Sequence, residues 1–441
     1  MNGPVQAYRG SVLHFNDDPA FAGDAYHWHE DGLLVVDGER VVAAGDHAQL
    51  AATLPPGAVV HDLRGKLIMP GFIDTHIHYP QSDMIASPAP GLLPWLETYT
   101  FPTERKFQDP EHAGDVARFF LDELARNGTT TAMVYCTVHP ESVDAFFAES
   151  SARNLRMVAG KVLMDRNCPP YLADTAESGA RDSEALIQRW HNKGRQAYAL
   201  TPRFAPTSTE AQLALTGELA RAYPDTYIQS HVAENTDEIA WVKSLYPQAR
   251  SYLDVYDRYG LLRKRAMYGH CIYLDDTDRA RMVETGAAVA LCPTSNLFLG
   301  SGLFDFAAAD AVRMSLSLAT DVGGGTAFSM LRTMNEVYKV ARMGGTYLPA
   351  LRMFYLATLG GARSMGLENT IGSFKPGNEA DFVVLDPQCT PLLARRTARF
   401  EALEALLFAI ALLGDDRTVF ASYSAGKLLH SRSDIAACPD V

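Results

Sequence analysis

The sequence predicts an α/β protein: a (β/α)8 TIM-type barrel beside a small composite β domain built from both chain ends. Eight short apolar runs alternate with longer helical stretches through the middle of the chain, which is the pattern of βα units. β-like segments precede and follow this region. The length of 441 residues exceeds one ordinary compact core and fits one large barrel with a smaller domain.

The eight apolar runs are the predicted barrel strands. They lie at residues 72–74, 130–134, 157–159, 197–200, 227–230, 266–269, 287–291 and 315–319. Eight parallel strands, each followed by a helical stretch, are what a barrel of this type requires. We therefore assign residues 68–368 to a metal-dependent catalytic barrel, and residues 1–67 together with 369–441 to the small β domain.

The terminal regions carry shorter β signals. Residues 32–38 predict a strand that runs into a turn, and residues 40–45 are its hairpin partner. Other β-like segments lie at 58–63, 371–377, 380–386 and 419–423. Residues 403–413 are apolar but shorter than the roughly 20 residues that span a bilayer, so they predict a buried helix.

Composition narrows the class of protein. Hydrophobic residues make up 47% and charged residues 21%, as in ordinary globular enzymes. The net charge of −13 argues against nucleic acid or an acidic membrane surface as a partner. The first 17 residues lack an apolar signal core. Six scattered cysteines suit a reducing cytoplasm, and they are Cys136, Cys168, Cys271, Cys292, Cys389 and Cys438.

Metal-type ligands follow four of the eight predicted strands, at the end where such barrels carry their catalytic groups. His76 and His78 follow the first strand, His231 the fifth, His270 the sixth and Asp321 the eighth. Residues two apart in a strand point to the same side, so His76 and His78 can bind one ion together. Nitrogen and oxygen ligands without thiolate suit Zn²⁺, and Fe²⁺ fits the same set. The pattern predicts a hydrolase with one divalent ion held by His76, His78, His231 and Asp321, and an open position for water of lowered pKa.

Each of these ligands has a structural alternative when it is taken alone. His231 could be a core histidine and Asp321 a helix cap, and only the conjunction on several strands favours a metal site. His27 and His29 have the same spacing as the ligand pair, but they lie in a polar stretch that we interpret as an exposed loop. A second, lysine-bridged ion is not favoured, because the fourth strand offers no lysine and Lys161 follows the third.

Several motifs resemble a known family. Residues 70–78 (PGFIDTHIH) resemble the opening of the amidohydrolase superfamily. Further segments resemble the guanine deaminase family within it, and they span nearly the whole barrel: 78–81 (HYPQ), 99–104 (YTFPTE), 203–207 (RFAPT), 231–235 (HVAEN), 292–297 (CPTSNL) and 320–326 (TDVGGGT).

The resemblance implies a role for each site residue. His76, His78, His231 and Asp321 would bind zinc. Glu234 would shuttle protons, Asp321 would take the proton from the attacking water, and His270 would orient that water. Gln81, Arg203 and Phe204 would hold the purine by hydrogen bonds and stacking.

The implied reaction belongs to purine catabolism. Zinc-bound hydroxide would attack C2 of guanine, and loss of ammonia would give xanthine. A cytoplasmic homodimer acting on a small purine is also implied.

Two other functions stay open at this point. The same site could serve a related aminohydrolase acting on 8-oxoguanine, another aminopurine or a triazine, although Gln81 with Arg203 and Phe204 favours guanine. A non-catalytic interaction protein on the same barrel could have lost ligands, yet every ligand and the proton carrier are present. For His139, and for the segment that carries Trp95, Tyr99 and Phe101, the sequence leaves pocket lining and ordinary packing as alternatives.

Overall fold

The computed structural model describes residues 3–88 and 90–432, so Cys438 and the rest of residues 433–441 lie outside the described residues. Two sheets organise this part of the chain. Their strands, in chain order, are β1 (Gln6–Phe15), β2 (Tyr26–Asp37), β3 (Arg40–Asp46), β4 (Val59–Pro70), β5 (Phe72–His78), β6 (Thr129–Tyr135), β7 (Arg156–Gly160), β8 (Val162–Leu163), β9 (Gln196–Pro202), β10 (Tyr227–Val232), β11 (Ala266–His270), β12 (Ala288–Leu291), β13 (Ser315–Leu318), β14 (Phe382–Leu385), β15 (Val419–Ser424) and β16 (Lys427–Ser431).

Helices follow the strands of the central region and cover its outer face. In chain order they are α1 (His47–Ala51), α2 (Leu92–Trp95), α3 (Phe101–Glu104), α4 (Pro110–Arg126), α5 (Pro140–Ala152), α6 (Ala176–Trp190), α7 (Glu210–Ala222), α8 (Thr236–Leu245), α9 (Tyr252–Asp257), α10 (Asp276–Thr285), α11 (Pro293–Phe298), α12 (Phe306–Ala311), α13 (Met330–Met343), α14 (Ala350–Leu356), α15 (Leu359–Ser364), α16 (Pro391–Thr397) and α17 (Leu403–Leu413). A π-helical turn, Leu96–Thr100, joins α2 to α3.

The central sheet is a parallel barrel. Its strands run in the order β5-β6-β7-β9-β10-β11-β12-β13, and the short β8 pairs with β9. All eight predicted strand runs lie on these eight strands, so the prediction of a (β/α)8 barrel is confirmed. Because the strands are buried on both faces, they read in the sequence as continuous apolar runs rather than as alternating ones.

The barrel closes where β5 meets β13, and the closing contacts lie at the carboxyl ends of these strands. The Thr75 hydroxyl donates to the carbonyl of Leu318 at 3.1 Å. The amide of Asp321 donates to the carbonyl of His76 at 2.9 Å, and the amide of His78 donates to the carbonyl of Val322 at 2.8 Å. The backbone of three predicted metal ligands therefore forms the seam of the barrel.

The second sheet joins the two ends of the chain, as predicted. It has seven strands in the order β16-β15-β14-β4-β1-β2-β3. The join is the antiparallel pair β14 with β4, in which Phe382 lies opposite Pro70. The exact domain boundaries that we placed at residues 67/68 and 368/369 stay a prediction.

Two local predictions for this sheet are wrong. His27 and His29 lie within β2 rather than in a loop, and His27 pairs with His14 of β1. Residues 371–377 form no regular strand, because Gly372 and Gly377 have φ of 82° and 92° and turn the chain there.

The predicted buried helix at 403–413 is confirmed as α17, which packs into the main core through Leu403, Leu406, Leu407 and Ile410. Among residues 3–88 and 90–432, none of the helices has the length and apolarity needed to cross a membrane.

A buried ion network fastens the small sheet to the barrel. The guanidinium of Arg195, just before β9, donates to Glu379 Oε2 through Nη2 at 2.6 Å and also bonds Asp381. Arg156 of β7 donates to the same Glu379 from Nε at 2.7 Å. The carboxylate of Glu379 is thus shared by two guanidinium groups, and Asp381 supplies a second negative charge to Arg195. The side chains of Glu379, Arg156 and Arg195 are largely buried.

We expect Glu379→Gln to destabilise the protein by about 3–5 kcal/mol, because the buried guanidinium of Arg156 loses its counter-charge and that of Arg195 keeps only Asp381. Urea unfolding, followed by tryptophan fluorescence, measures the change. Glu284→Gln is the matched control, since Glu284 is 70% exposed beside Arg281 and its loss should cost less than about 1 kcal/mol. Equal stability of the two variants would contradict the proposed fastening role.

Candidate active site

Four predicted ligands converge at the carboxyl ends of the barrel strands. One ligand atom from each of His76, His78, His231 and Asp321 lies within 4.8 Å of all the others. The Nε2 atom of His78 lies 3.3 Å from Nε2 of both His76 and His231. Asp321 Oδ1 lies 3.3 Å from Nε2 of His76 and of His78. The strand ends β5, β10 and β13 therefore bring together the whole predicted set.

These distances fit one divalent ion. Metal–ligand bonds of about 2.0–2.1 Å in a tetrahedral site place neighbouring ligand atoms about 3.3–3.4 Å apart. Burial lowers the pKa of His78 to about 3, and burial followed by the neighbouring imidazoles lowers the pKa of His231 well below its usual value. Both rings are therefore neutral, which is the form that binds a metal.

A second set of possible ligands overlaps the first. His76, His270, Cys292 and Asp321 also offer ligand atoms within 4.8 Å of one another. Burial raises the pKa of the Cys292 thiol well above its usual range, and this thiol bonds to the carbonyl of Ala290. A protonated thiol is a poor metal ligand, so the three histidines with Asp321 fit an ion better.

Neighbouring groups orient the ligand side chains. The Nδ1 atom of His231 donates to the carbonyl of Arg203 at 2.6 Å, which leaves Nε2 free for the ion. The ring of His76 packs against Gly269, where a Cβ atom would come within 2.6 Å of Cε1. Asp74 Oδ1 accepts from the amides of His76 and Thr320, and so fixes both sides of the barrel seam next to the ligands.

The predicted proton carriers lie beside the ligands. Nε2 of His270 is 3.4 Å from Glu234 Oε2 and 3.8 Å from Asp321 Oδ2. Nδ1 of His270 donates to Asn296 Oδ1 at 2.8 Å, which fixes the ring. The Ser301 hydroxyl donates to Glu234 Oε1 at 2.8 Å. These contacts hold the carboxyl of Glu234 next to the imidazole of His270.

The carboxyl groups of Glu234 and Asp321 differ in the direction of their pKa shifts. Burial, reinforced by the charge of Asp321, raises the pKa of Glu234 to about 8, so this group holds a proton at neutral pH. Burial alone would raise the pKa of Asp321, but the charge of His76 and hydrogen bonds from His76 and His78 keep it well below the usual range. One acid and one carboxylate therefore face the same space.

Several residues at this end of the barrel have unusual backbone geometry. Ala233, His270 and Asp321, which follow or end the strands β10, β11 and β13, have φ of 52°, 69° and 51°. Non-glycine residues seldom adopt this left-handed conformation. The chain turns at each of these strand ends, where His270, Asp321 and Glu234, the residue after Ala233, all line one cavity.

A cavity opens next to the ligands. It has about 420 Å³ of space between protein atoms, part of which is open to solvent. The predicted substrate residues Gln81, Arg203 and Phe204 all line it, together with Glu234, His270 and Asp321. Leu92, Trp95 and Leu96 line it as well, from the helical segment after β5. Trp95 therefore contacts the cavity, whereas Phe101 packs below the guanidinium of Arg203.

Four further residues lie at this site although no sequence pattern predicted a role for them. Glu104 binds Arg203 and Gln81, and Glu238 accepts from the backbone amide of Glu234 at 3.1 Å. The Ser295 hydroxyl lines the cavity and has no hydrogen-bond partner among the described residues. Ser301 contacts Glu234, as described above. Glu238 could have been recognised in the sequence, because Asn235 and Glu238 have the spacing of the capping box that they form at the start of α8.

Two other candidates lie away from the ligand cluster. Lys161 pairs with Asp174 at 2.5 Å and is fully buried in that pair, so it offers nothing to a second ion. His139 occupies the position before α5 without a side-chain capping bond, and it does not line the cavity.

The fold and this cluster define a class of protein. The profile of the amidohydrolase family matches residues 67–429, and the chain belongs to that family. Several relatives within the family are guanine deaminases. The chain is 49% identical to the guanine deaminase of Escherichia coli (strain K12) over 97% of this chain and 98% of that one. The resemblance predicted from the motifs is therefore confirmed.

Solved structures give the same result. The E. coli guanine deaminase structure superposes with a TM-score of 0.93 at 48% identity, covering 98% of this chain and 100% of that one. The guanine deaminase of C. acetobutylicum, solved with guanine bound in its active site, superposes with a TM-score of 0.87 at 27% identity, covering 97% of this chain and 100% of that one.

We expect Gly269→Ala to weaken metal binding about 10–100-fold, as changes beside metal ligands commonly do. The added methyl group would displace the ring of His76. Competition with a chromogenic chelator measures the affinity. Gly23→Ala is the control, because nothing lies within 4 Å of a Cβ at that exposed position. An unchanged affinity in Gly269→Ala would show that His76 is not a ligand in this geometry.

Proposed function

We propose that this protein is a zinc-dependent guanine deaminase that converts guanine and water to xanthine and ammonia. The observation that carries the proposal is the cavity in which a four-ligand cluster, a protonated Glu234 and the pair Gln81 and Arg203 meet. The similarity of this chain to guanine deaminases over nearly its whole length supports guanine, rather than another heterocycle, as the substrate.

We assign the metal site to His76, His78, His231 and Asp321. When bound there, a divalent ion, with Zn²⁺ as our proposal, supplies Lewis acidity that lowers the pKa of a coordinated water. The two carboxylate oxygens of Asp321 have different neighbours, which supports this assignment. Oδ1 lies among the histidine nitrogens, while Oδ2 is turned toward His270 and is available to a proton.

The side chains can move the protons that the reaction needs. As the water oxygen adds to C2 of guanine, Asp321 accepts a proton from the water, and His270 holds the water in place. Glu234 donates its proton to ring N3, which relieves the charge that develops on the ring. The proton held by Asp321 then passes to the exocyclic amine, the C2–N bond breaks, and ammonia leaves. The added hydroxyl gives its proton to Glu234 and becomes the 2-carbonyl of xanthine. The raised pKa of Glu234 supports its role as the acid.

The cavity wall supports recognition of a purine. Arg203 presents guanidinium donors suited to the 6-carbonyl, and Gln81 offers a donor and an acceptor to a ring edge. Phe204, which is buried beside Trp241, provides an apolar face for the base. These are ordinary means of binding a planar, neutral heterocycle.

The cellular setting is also part of the proposal. Cys136, Cys168, Cys271, Cys292 and Cys389 are all free thiols, which is typical of a reducing cytoplasm. We propose a cytoplasmic enzyme of purine catabolism that acts as a homodimer. Analytical ultracentrifugation tests the homodimer directly.

The proposal predicts that purified, zinc-loaded protein converts guanine to xanthine, with one equivalent of zinc per chain. Ultraviolet absorbance follows the reaction, with 8-oxoguanine and adenine as alternative substrates. Removal of the metal with a chelator should abolish turnover, and added Zn²⁺ should restore it. If 8-oxoguanine reacts and guanine does not, the substrate assignment is wrong although the hydrolase stands.

Glu234→Gln should lower kcat about 100-fold or more, because it keeps the side-chain shape and removes the acidic proton. Metal content measured by atomic absorption should stay at one equivalent. Loss of metal in this variant would instead mean that Glu234 is a ligand. Glu218→Gln, which lies on α7 outside the cavity lining, is the control and should match the unmodified enzyme.

A further inference from the structure

Glu104 is a buried carboxylate that the reaction steps above do not use. It ends α3, within a helical segment that begins at α2 and continues as a 3-10 turn at Arg105–Gln108. The start of this segment covers the cavity through Leu92, Trp95 and Leu96. Glu104 is fully buried, with 0% of its surface exposed, and it does not line the cavity itself. A charged group in this position needs partners of its own.

The partners of Glu104 are two residues of the cavity wall. Nη1 of Arg203 donates to Oε1 at 2.9 Å and to Oε2 at 2.8 Å. Nε2 of Gln81 donates to Oε1 at 3.1 Å. The two side chains that we assign to the ring edge of the substrate therefore share one carboxylate, although they come from opposite sides of the barrel mouth.

The shared carboxylate fixes what each side chain can offer. Gln81 Oε1 accepts from the amide of Gly323 at 3.2 Å while its Nε2 donates to Glu104, so the amide cannot turn over without losing both bonds. The contacts of Arg203 to Glu104 use Nη1 alone, which leaves Nε and Nη2 as donors for a ligand. The donor and acceptor pattern of the wall is thus set before a ligand arrives.

The ion pair also sets the charge of the wall. Arg203 is 3% exposed and Glu104 is 0% exposed, so neither charge is screened by solvent. Without Glu104, the guanidinium would be an unpaired buried cation and would turn toward another carboxylate or toward water. With Glu104, the wall is neutral and Arg203 remains directed at the cavity.

We propose that Glu104 is a positioning residue that acts through Arg203 and Gln81 to set selectivity for a base with a 6-carbonyl group. This inference rests on the proposed function. Glu104 touches neither the ligand cluster nor the proton carriers, so its effect falls on recognition of the ring edge and not on the chemical step.

The first test compares guanine with 2-aminopurine in Glu104→Gln. 2-Aminopurine carries the same amino group but lacks the carbonyl that Arg203 would bind. We expect KM for guanine to rise about tenfold or more, with kcat changed less than about threefold, because the lost contact serves binding. The inhibition constant of 2-aminopurine, measured in competition with guanine, should change less than about threefold. A parallel change for both bases would overturn the proposal.

Controls separate positioning from damage to the fold. Glu97→Gln is the matched variant, because Glu97 is an exposed carboxylate on the same helical segment, and it should behave as the unmodified enzyme. Zinc content of Glu104→Gln should remain at one equivalent. If the unmodified enzyme does not turn over guanine, the proposed function itself fails. If it does and Glu104→Gln has an unchanged KM, only this inference fails.

A second variant keeps the test decisive if Glu104→Gln does not fold. Glu104→Gln combined with Arg203→Met removes both charges together, which leaves no unpaired buried ion. The introduced amide keeps an oxygen that can accept from Gln81 Nε2, so the double variant tests the action on Arg203. We expect it to have the same KM for guanine as Arg203→Met alone. A further increase of about tenfold in the double variant would show that Glu104 acts by another route.

Discussion

The closure of the barrel between β5 and β13 is the constraint on which the site depends. The hydrogen bonds that close the barrel involve the backbone of His76, His78 and Asp321, which are also proposed metal ligands. Asp74 ties the same two strand ends together from the side. The geometry of the cluster is therefore fixed by the same contacts that complete the fold. Three of the proposed ligands lie on strands and Asp321 follows closely after β13, and a site supported by strands favours precision.

Strands could be predicted where the sequence has a continuous apolar run, and they were missed where the hydrophobic pattern is interrupted. Buried parallel strands left continuous apolar runs, so each barrel strand was found. β1 was missed because a register shift between Gly10 and Val12 interrupts its alternation. The first half of β2 has a polar sequence because its residues lie outside the buried core. Hydrogen bonding to β1 nevertheless makes it a strand. Composition alone does not report such pairing.

The site could be predicted as far as its residues follow strands. Ligands and proton carriers lie at predictable positions because the barrel topology fixes which end of each strand meets the others. Glu104 and Ser301 were missed because their importance comes from contacts between segments distant in sequence. Glu104 lies 99 residues before Arg203, and no local pattern records that the two side chains meet. Motif resemblance marked both segments without explaining them.

The left-handed backbone at Ala233, His270 and Asp321 affects how the protein can be engineered. Each such conformation costs on the order of 1–3 kcal/mol in a non-glycine residue. These conformations at the barrel mouth thus lower the free energy of unfolding of the protein, while they orient the active-site side chains. Selection for thermostability alone would favour replacing these residues and would erode activity. Durable variants are better sought in the small β sheet, where stability and chemistry are not in competition.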